Sequence, residues 1–272
     1  MKKHGSTILL IMVLIIGVSL LLYPSFADWW NSLHQSRAVA SYVEHVAAID
    51  EDTYSELWDA AREYNNSLSD RQNHFGLAPE QQEEYDAILN VTNNGIIGYV
   101  EIPSINVTLP IYHGTDETIL QIAVGHLEWS SLPIGGESTH SIISGHRGLP
   151  SARLFTDLDK LTVGDIFFYR ILDEVLTYEV DQILIVEPHQ LDALSIVHGE
   201  DLSTLITCTP YGINSHRLLV RGHRIENQEA ERTVRVTSDA VQIEPVFVAP
   251  FVAAPMLLVL LVAIMIPKKR RG

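Results

Sequence analysis

Two long stretches without charged residues lie at opposite ends of the chain. The first runs from Gly5 to Ala27 and contains ILLIMVLIIGVSLLLY; the second runs from Pro245 to Pro267 and contains VFVAPFVAAPMLLVLLVAIMI. A helix needs about 20 mainly apolar residues to cross the hydrocarbon core of a bilayer. Both stretches meet that length, so the sequence predicts two transmembrane helices.

Basic residues flank these two stretches at their outer ends. Lys2 and Lys3 precede the first, and KKRR at residues 268–271 follows the second. Because positively charged flanks tend to stay in the cytoplasm, both termini are predicted to be cytoplasmic and the residues between the spans extracellular. Two alternatives stay open: the first stretch also fits a cleaved signal peptide, and the second could be a buried helix of a folded domain.

Between the apolar ends, the pattern changes from helical to strand-like near Gly95. Residues 28–66 carry spaced apolar positions and few Gly or Pro, which favours one or two helices; a loop at residues 67–79 and a short helix around 80–89 follow. From Gly95, short β-branched and aromatic runs alternate with Gly, Pro and Asn. The predicted strands are Ile96–Ile102, Ile105–Tyr112, His140–Gly145, Asp165–Leu172, Glu174–Glu187, Ser203–Cys208 and Arg217–Ile225. Seven strands with short helical inserts at 116–124 and 151–161 favour a closed or nearly closed barrel.

The charge of the chain is acidic and unevenly distributed. Its 272 residues include 18 Lys and Arg against 34 Asp and Glu, a formal net charge of −16. Six of the basic residues lie in the terminal flanks, so residues 24–244 hold 12 basic and 34 acidic residues, a net charge of −22. This balance argues against nucleic-acid binding, which relies on clustered Lys and Arg.

The single cysteine, Cys208, excludes an intrachain disulfide and any structural zinc site that needs two thiolates. It ends a predicted strand, and a turn-rich segment leads from it to the next strand, which opens at Arg217. Strands joined in this way pair antiparallel, so Cys208 and Arg217 should be neighbours. A nearby cation favours the reactive thiolate, and a guanidinium can donate hydrogen bonds to a developing oxyanion.

A proton donor for this chemistry can be sought among the twelve histidines. His146, in SGHRGLP, directly follows a predicted strand and lies beside two glycines that would let a substrate backbone approach. Simpler interpretations stay open, because a lone cysteine is often a small buried hydrophobe and an Arg or His beside a loop is often a surface residue. The histidines lack metal-ligand spacing with acids or cysteines. Alternatives within the site are Arg147 and Arg221 for the cation, and His126 and His140 for groups near the groove.

Three motifs taken together resemble the signature of the sortase family. They are TLITC at Thr204–Cys208, GHR at Gly145–Arg147, and Arg217 nine residues after Cys208. The wider text, GHLEWSSLPIGGESTHSIISGHRGLPSARLFTDLDKL and TLITCTPYGINSHRLLVRGH, is similar to the pilus-associated class C branch. The resemblance implies a mainly β fold, a closed eight-stranded sortase-type barrel with short helices, an N-terminal helical extension and two transmembrane helices.

The resemblance and the residue patterns together divide the chain into five parts. They are an N-terminal membrane anchor (1–27), a helical extension with a possible lid-equivalent loop (28–94), a catalytic barrel (95–225), a linker (226–244), and a C-terminal transmembrane helix with a basic cytoplasmic tail (245–272).

The activity implied by the resemblance is that of a cysteine transpeptidase on the outer face of the cell membrane. Cys208 would attack the Thr–Gly bond of an LPxTG-like sorting signal, His146 would act as general acid and then base, and Arg217 would steady the oxyanion. No metal or organic cofactor is implied. The partners would be the lipid bilayer and pilin subunits that carry a sorting signal and an acceptor lysine. Alternatives are anchoring of surface proteins to peptidoglycan precursor, or a non-catalytic membrane-held module that binds pilins.

One departure from the class C pattern concerns the lid over the active site. Class C enzymes usually carry a lid with an Asp-Pro-aromatic motif, and this chain has no such tripeptide. The corresponding region reads SDRQNHFGLAP, in which His74 and Phe75 are the nearest aromatic substitutes. Phe75 fits an ordinary loop aromatic better than a lid plug, and the sequence leaves open whether a functional lid exists without the Asp-Pro-aromatic motif.

Overall fold

Helix α1 (Gly5–Ala47) opens the structure, a computed structural model that describes residues 5–68 and 76–227. Leu9–Ala47 within it is long and apolar enough to cross a membrane, and among the described residues it is the one helix that qualifies. The chain divides into two compact units, and in its described part the boundary falls after Ala27. The predicted second span at 245–267, the linker beyond Asn227 and the lid-equivalent residues 69–75 lie outside the described residues.

Two further helices, α2 (Glu51–Leu68) and α3 (Pro79–Ala87), complete the helical extension. Asp50 caps α2, because its carboxylate accepts hydrogen bonds from the backbone N–H and the hydroxyl of Thr53. Pro79 opens α3, where its missing N–H costs nothing. The end of α1 is fastened by Tyr42, whose hydroxyl donates to the Ile97 carbonyl at 2.8 Å and accepts from the Leu172 amide at 2.7 Å.

Eight strands form a closed barrel, which confirms the barrel that the resemblance implies. Their order around the barrel is β1-β2-β3-β4-β7-β8-β6-β5. The bounds are β1 (Ile96–Ile102), β2 (Val107–His113), β3 (Val124–His126), β4 (Thr139–Ser144), β5 (Ile166–Ile171), β6 (Glu174–Val186), β7 (Asp201–Thr209) and β8 (His216–Ile225). The pairs β2–β3 and β4–β7 are parallel, and the remaining neighbours are antiparallel.

The helical inserts are shorter than the sequence predicts. Helix α4 covers Glu117–Leu120, and residue 124, predicted as its end, instead begins the three-residue strand β3. In the second insert, the regular structure is a single 3-10 turn at Leu158–Lys160. Alternating side chains of the strands fill the barrel interior, and buried residues of α2 and α3 such as Tyr64 and Tyr85 join the same core.

Candidate active site

Cys208 and Arg217 face each other across two neighbouring strands. Strand β7 pairs with β8 in a register that sets Cys208 opposite Arg217 and Thr209 opposite His216. Directly opposed residues of an antiparallel pair have Cβ atoms about 5 Å apart on the same face. The predicted proximity of Cys208 and Arg217 is therefore confirmed, and the cysteine is partly exposed rather than buried.

His146 reaches the same place from the other side of β7. Strands β4 and β7 run parallel, with Ser144 beside Ile206, and the Gly145 amide extends this ladder by donating to the Ile206 carbonyl at 3.0 Å. The hydroxyl of Thr207 donates to the Gly145 carbonyl at 2.7 Å. Continued by one more residue, this register brings His146 alongside Cys208. The cysteine thus lies on β7, between the strand that leads to His146 and the strand β8 that carries Arg217 as its second residue.

Gly145 is required where this register continues past the end of β4. A Cβ atom at this position would lie 2.7 Å from the Phe155 ring and 2.8 Å from a Val124 methyl. Any side chain would force apart the packing that holds the strand end, so the glycine sets the position of His146 through close approach of its neighbours.

The site lies on the outer face of the barrel. Leu205 and Val220 point to the interior core, whereas Ile206 and Leu219 belong to a second apolar cluster on the opposite face. Because side chains alternate along a strand, Cys208 shares the face of Ile206. The second cluster also includes Ile142 and Leu194, with Leu184, Val186 and Leu191 packed against it. The surface next to Cys208 is therefore partly apolar. The sequence pattern did not reveal this apolar surface.

The imidazole of His146 has an acidic neighbour on helix α4. His146 Nε2 lies 3.5 Å from Glu117 Oε2, an ion-pair distance that is long for a hydrogen bond. The carboxylate is mostly exposed, and a hydrogen bond from Gln121 together with the nearby His146 lowers the pKa of Glu117. Nothing in the sequence pattern pointed to Glu117, because the contact depends on how α4 meets the end of β4.

We expect Glu117→Gln to lower kcat by at most about fivefold with little change in KM, because an exposed carboxylate stabilises a neighbouring imidazolium only weakly. The measurement is steady-state kinetics at low and high salt. The deficit should shrink at 1 M salt, where the Debye length falls to about 3 Å. Gln121→Ala, which leaves the carboxylate in place, is the matched control. A loss that is large and independent of salt would show that Glu117 acts in some other way.

The three candidate arginines differ in what they contact. Arg221 pairs with Asp181 through two hydrogen bonds of 3.0 and 2.8 Å, and Arg147 pairs with Asp159. Among its described contacts, Arg217 donates only to backbone carbonyls, at 3.2 Å to His216 and 3.4 Å to Asn214. Arg217 is thus the arginine in register with the thiol and without a carboxylate partner in the described part of the chain.

Arg147 ties the loop after His146 to the end of β7. Its guanidinium donates to the Thr209 hydroxyl at 3.3 Å and lies over the Tyr211 ring, 5.9 Å from the centroid. Tyr211 in turn lies against Gly148. These contacts join the two loops that border Cys208, so Arg147 has a positioning role in this structure.

His126 and His140, the other histidines considered for the groove, are buried. Burial lowers the pKa of His126 to about 3, and its neutral ring accepts from the Tyr85 hydroxyl and donates to the Ser131 carbonyl, both at 2.8 Å. His140 lies within hydrogen-bond distance of the Thr204 hydroxyl and the Ser195 carbonyl. Both rings hold structural elements together, which leaves His146 as the candidate among the three histidines considered for the groove. A fourth histidine, His216, lies opposite Thr209 next to Cys208. Within residues 5–68 and 76–227, no group of three His, Cys, Asp or Glu could hold a metal ion.

Comparison with known proteins gives matches across the barrel and much of the helical extension. The family model for the sortase domain matches residues 100–225. The structure is similar to sortase C1 from Streptococcus agalactiae, with 52% sequence identity and a TM-score of 0.69 over 71% of this chain and 100% of that chain. It is also similar to sortase C from Streptococcus pneumoniae, with 46% identity and a TM-score of 0.62 over 70% of this chain and 97% of that chain.

Curated relatives are more distant. Sortase D from Bacillus subtilis (strain 168) is 31% identical over 131 residues, which cover 47% of this chain and 63% of that protein. Sortase A from Streptococcus agalactiae serotype III is 29% identical over 43% of this chain and 48% of that protein. The match thus spans about half to 63% of the length of these curated relatives.

Proposed function

The chain belongs to the sortase family, and from that premise we propose that it is a class C cysteine transpeptidase that joins pilin subunits. The observation that carries the proposal is the position of Cys208 between β4, which leads to His146, and β8, which carries Arg217 opposite the cysteine. These are the three residues that the sortase signature assigns to catalysis. The high identity to class C structures supports the choice of that branch.

In the first half of the reaction, the Cys208 thiolate attacks the threonine carbonyl carbon of an LPxTG-like sorting signal. Arg217 donates hydrogen bonds to the oxyanion of the tetrahedral intermediate, and such donors act mainly in the transition state. The Thr–Gly C–N bond breaks, and His146 gives the leaving glycine amine its proton. The product is a thioester between Cys208 and threonine.

In the second half, a lysine amine of another pilin subunit attacks the thioester carbonyl carbon. His146 takes the proton of the amine, the C–S bond breaks, and an isopeptide bond forms. One acyl bond is exchanged for another through the thioester, so the reaction needs no ATP. The proposal for pilins as partners is supported by the likeness to Streptococcus pneumoniae sortase C, whose structure is described as bearing on pilin substrate specificity.

We place the enzyme on the outer face of the cell membrane. The apolar part of α1 would be the N-terminal anchor. A second span at 245–267, with the basic residues 268–271 behind it, would return the chain to the cytoplasm and leave both termini there. This topology would hold the catalytic barrel close to membrane-anchored pilins.

Polymerisation and cell-wall anchoring differ in the amine that resolves the thioester. The test is to offer the full-length enzyme, loaded with a sorting-signal peptide, equal amounts of a pilin lysine and a wall-type oligopeptide amine, and to weigh the products by mass spectrometry. We expect the isopeptide product to dominate. Preference for the wall amine would reject polymerisation while leaving a transpeptidase. A cysteine that forms no acyl-enzyme at all would favour the non-catalytic binding module.

Arg217→Ala should lower kcat/KM by about 10²–10³-fold, the range for loss of a donor to an oxyanion. It should also slow alkylation of Cys208 by iodoacetamide, because a nearby cation favours the thiolate. Steady-state kinetics and timed alkylation measure the two effects separately. The matched control is Arg221→Ala on the same strand, whose guanidinium is paired with Asp181 and whose loss should leave both rates within a few fold. Equal rates in Arg217→Ala and wild type would contradict the role of Arg217.

A further inference from the structure

Lysine is almost absent from the part of the chain that we place outside the cell. The sequence has five lysines, of which four are Lys2, Lys3, Lys268 and Lys269 in the basic flanks. Residues 4–267 contain one lysine against eleven arginines, whereas the flanks contain four lysines and two arginines. Lysine is therefore common in the flanks that are proposed to be cytoplasmic. A general preference of this chain for arginine does not explain why lysine is scarce in the segment proposed to be outside the cell.

The chemical difference between the two cations matters at an acyl-enzyme. A lysine amine becomes a nucleophile when it loses its proton, while an arginine guanidinium stays protonated in proteins. A thioester on Cys208 that is built to be resolved by a lysine amine would also react with a lysine on the surface of the enzyme itself. Groups tethered to the same molecule meet at effective concentrations in the millimolar range.

The one remaining lysine of this segment is held in an ion pair. Lys160 Nζ lies 3.0 Å from Asp157 Oδ1, and the Asp157 carboxylate is itself largely shielded from solvent. The Lys160 side chain is 63% exposed, so the ion pair orients the amine towards Asp157 without burying it. Lys160 also ends the 3-10 turn at Leu158–Lys160, and its side chain is directed back to Asp157, the residue that precedes the turn.

The loop between Cys208 and Arg217 is the place where an amine would be most harmful. It spans residues 210–215 and contains no lysine. Two of its side chains are large, apolar and exposed: Tyr211 is 61% and Ile213 is 72% accessible to solvent. Exposed positions are mostly occupied by polar and charged residues, and lysine is among the usual ones.

We propose that the outward-facing surface excludes lysine so that the enzyme does not act as its own acyl acceptor. This inference rests on the proposed function, because it requires a thioester that is resolved by an amine. In the self-acylation that a surface without lysine would prevent, a lysine nitrogen attacks the thioester carbonyl carbon, a C–N bond forms, and the C–S bond breaks. The amine proton passes to His146 or to the departing thiolate. The Cys208 thiol would be regenerated, but the acyl group would stay on the enzyme as a stable amide and would be lost from the growing pilus.

The test introduces one amine beside the site and a matched charge that cannot react. The variants are Ile213→Lys, Ile213→Arg and Val163→Lys, each in the full-length chain in detergent micelles. Val163 is 66% exposed and serves as the distant position. The amide of its neighbour Gly164 donates to Val180 on β6. Val180 lies six residues along β6 from Val186, the residue that pairs with Arg217. At about 3.3 Å per residue, that is about 20 Å from the site.

Each variant is incubated with a synthetic peptide containing LPETG and no added amine, then treated with hydroxylamine, which cleaves thioesters but not amides. Mass spectrometry of the intact protein and of its digest then locates any acyl group that survives. We expect Ile213→Lys to carry at least about tenfold more of this adduct than Ile213→Arg, Val163→Lys or the wild type.

Three results would contradict this expectation, and each has a different meaning. A normal thioester in Ile213→Lys without an amide adduct would overturn the inference, since it would show that an acceptor lysine must bring its own recognition sequence. No thioester in the wild type would instead reject the proposed function on which the inference rests. An amide on Lys160 of the wild type would also overturn the inference, because the enzyme would then tolerate its own acylation.

Discussion

Cys208→Ala is expected to abolish cleavage of a sorting-signal peptide and the formation of high-molecular-weight pilin ladders. Loss of a catalytic nucleophile lowers kcat on the order of 10⁶-fold in a well-studied hydrolase, and no other cysteine is present in this chain to replace it. The measurements are peptide cleavage followed by chromatography and ladders on a denaturing gel. Mass spectrometry of the wild-type acyl-enzyme would identify the bound fragment directly.

The fold should survive this substitution. Cys208 is partly exposed near the end of β7, and its backbone pairing with β8 does not depend on the thiol. Thermal unfolding of Cys208→Ala should therefore lie within a few degrees of the wild type, since a surface change of this size usually costs less than about 0.5 kcal/mol. Ladders of normal intensity from a folded Cys208→Ala protein would refute the enzyme proposal.

His146→Gln is expected to lower kcat by about 10²–10⁴-fold, the usual contribution of a general acid or base. Glutamine keeps a polar side chain of similar reach but cannot pass a proton to the leaving amine. Single-turnover acylation with the sorting-signal peptide, followed by rapid quenching, measures the step in which the proton is needed. The loss should appear in kcat more than in KM.

The control for His146 is a histidine at the opposite end of β4. His198 is exposed and lies 3.3 Å from the Ser138 hydroxyl, next to the residue that begins the strand. His198→Gln should leave single-turnover acylation within about twofold of the wild type. An acylation rate for His146→Gln close to that of the control would mean that another group donates the proton.

The strands with strong patterns were predicted well. Strand β1 has the predicted bounds, and β5 to β8 begin and end within two residues of the prediction. Strand β3 was missed because three residues, Val124 to His126, are too few to show alternation. It forms because β2 and β4 lie on either side of it and supply its hydrogen bonds. This is information about tertiary structure that a local pattern does not contain.

Only part of the candidate site could be predicted from the sequence pattern, for a similar reason. Cys208 and Arg217 lie on strands joined by one short loop, so their proximity follows from local chain geometry. His146 and Cys208 meet through the parallel pair β4–β7, and residues along a sequence give no sign of which distant strand will be the partner. For His146, the family resemblance identified a residue that the sequence pattern alone did not connect to Cys208. Neither the pattern nor the resemblance identified Glu117, because its contact with His146 depends on the packing of a four-residue helix.

The parallel pairing of β4 with β7 also sets the order in which the site can form. Gly145 and Thr207 are 62 residues apart in sequence, and strands β5 and β6 lie between them along the chain. Contacts of such long range form late, because a large loop must close before they are made. A chain that emerges N-terminus first therefore contains His146 before it contains the thiol, and contains the thiol before it contains Arg217. Only synthesis through β8 assembles the chemistry, so no shorter N-terminal fragment should be reactive towards a sorting signal.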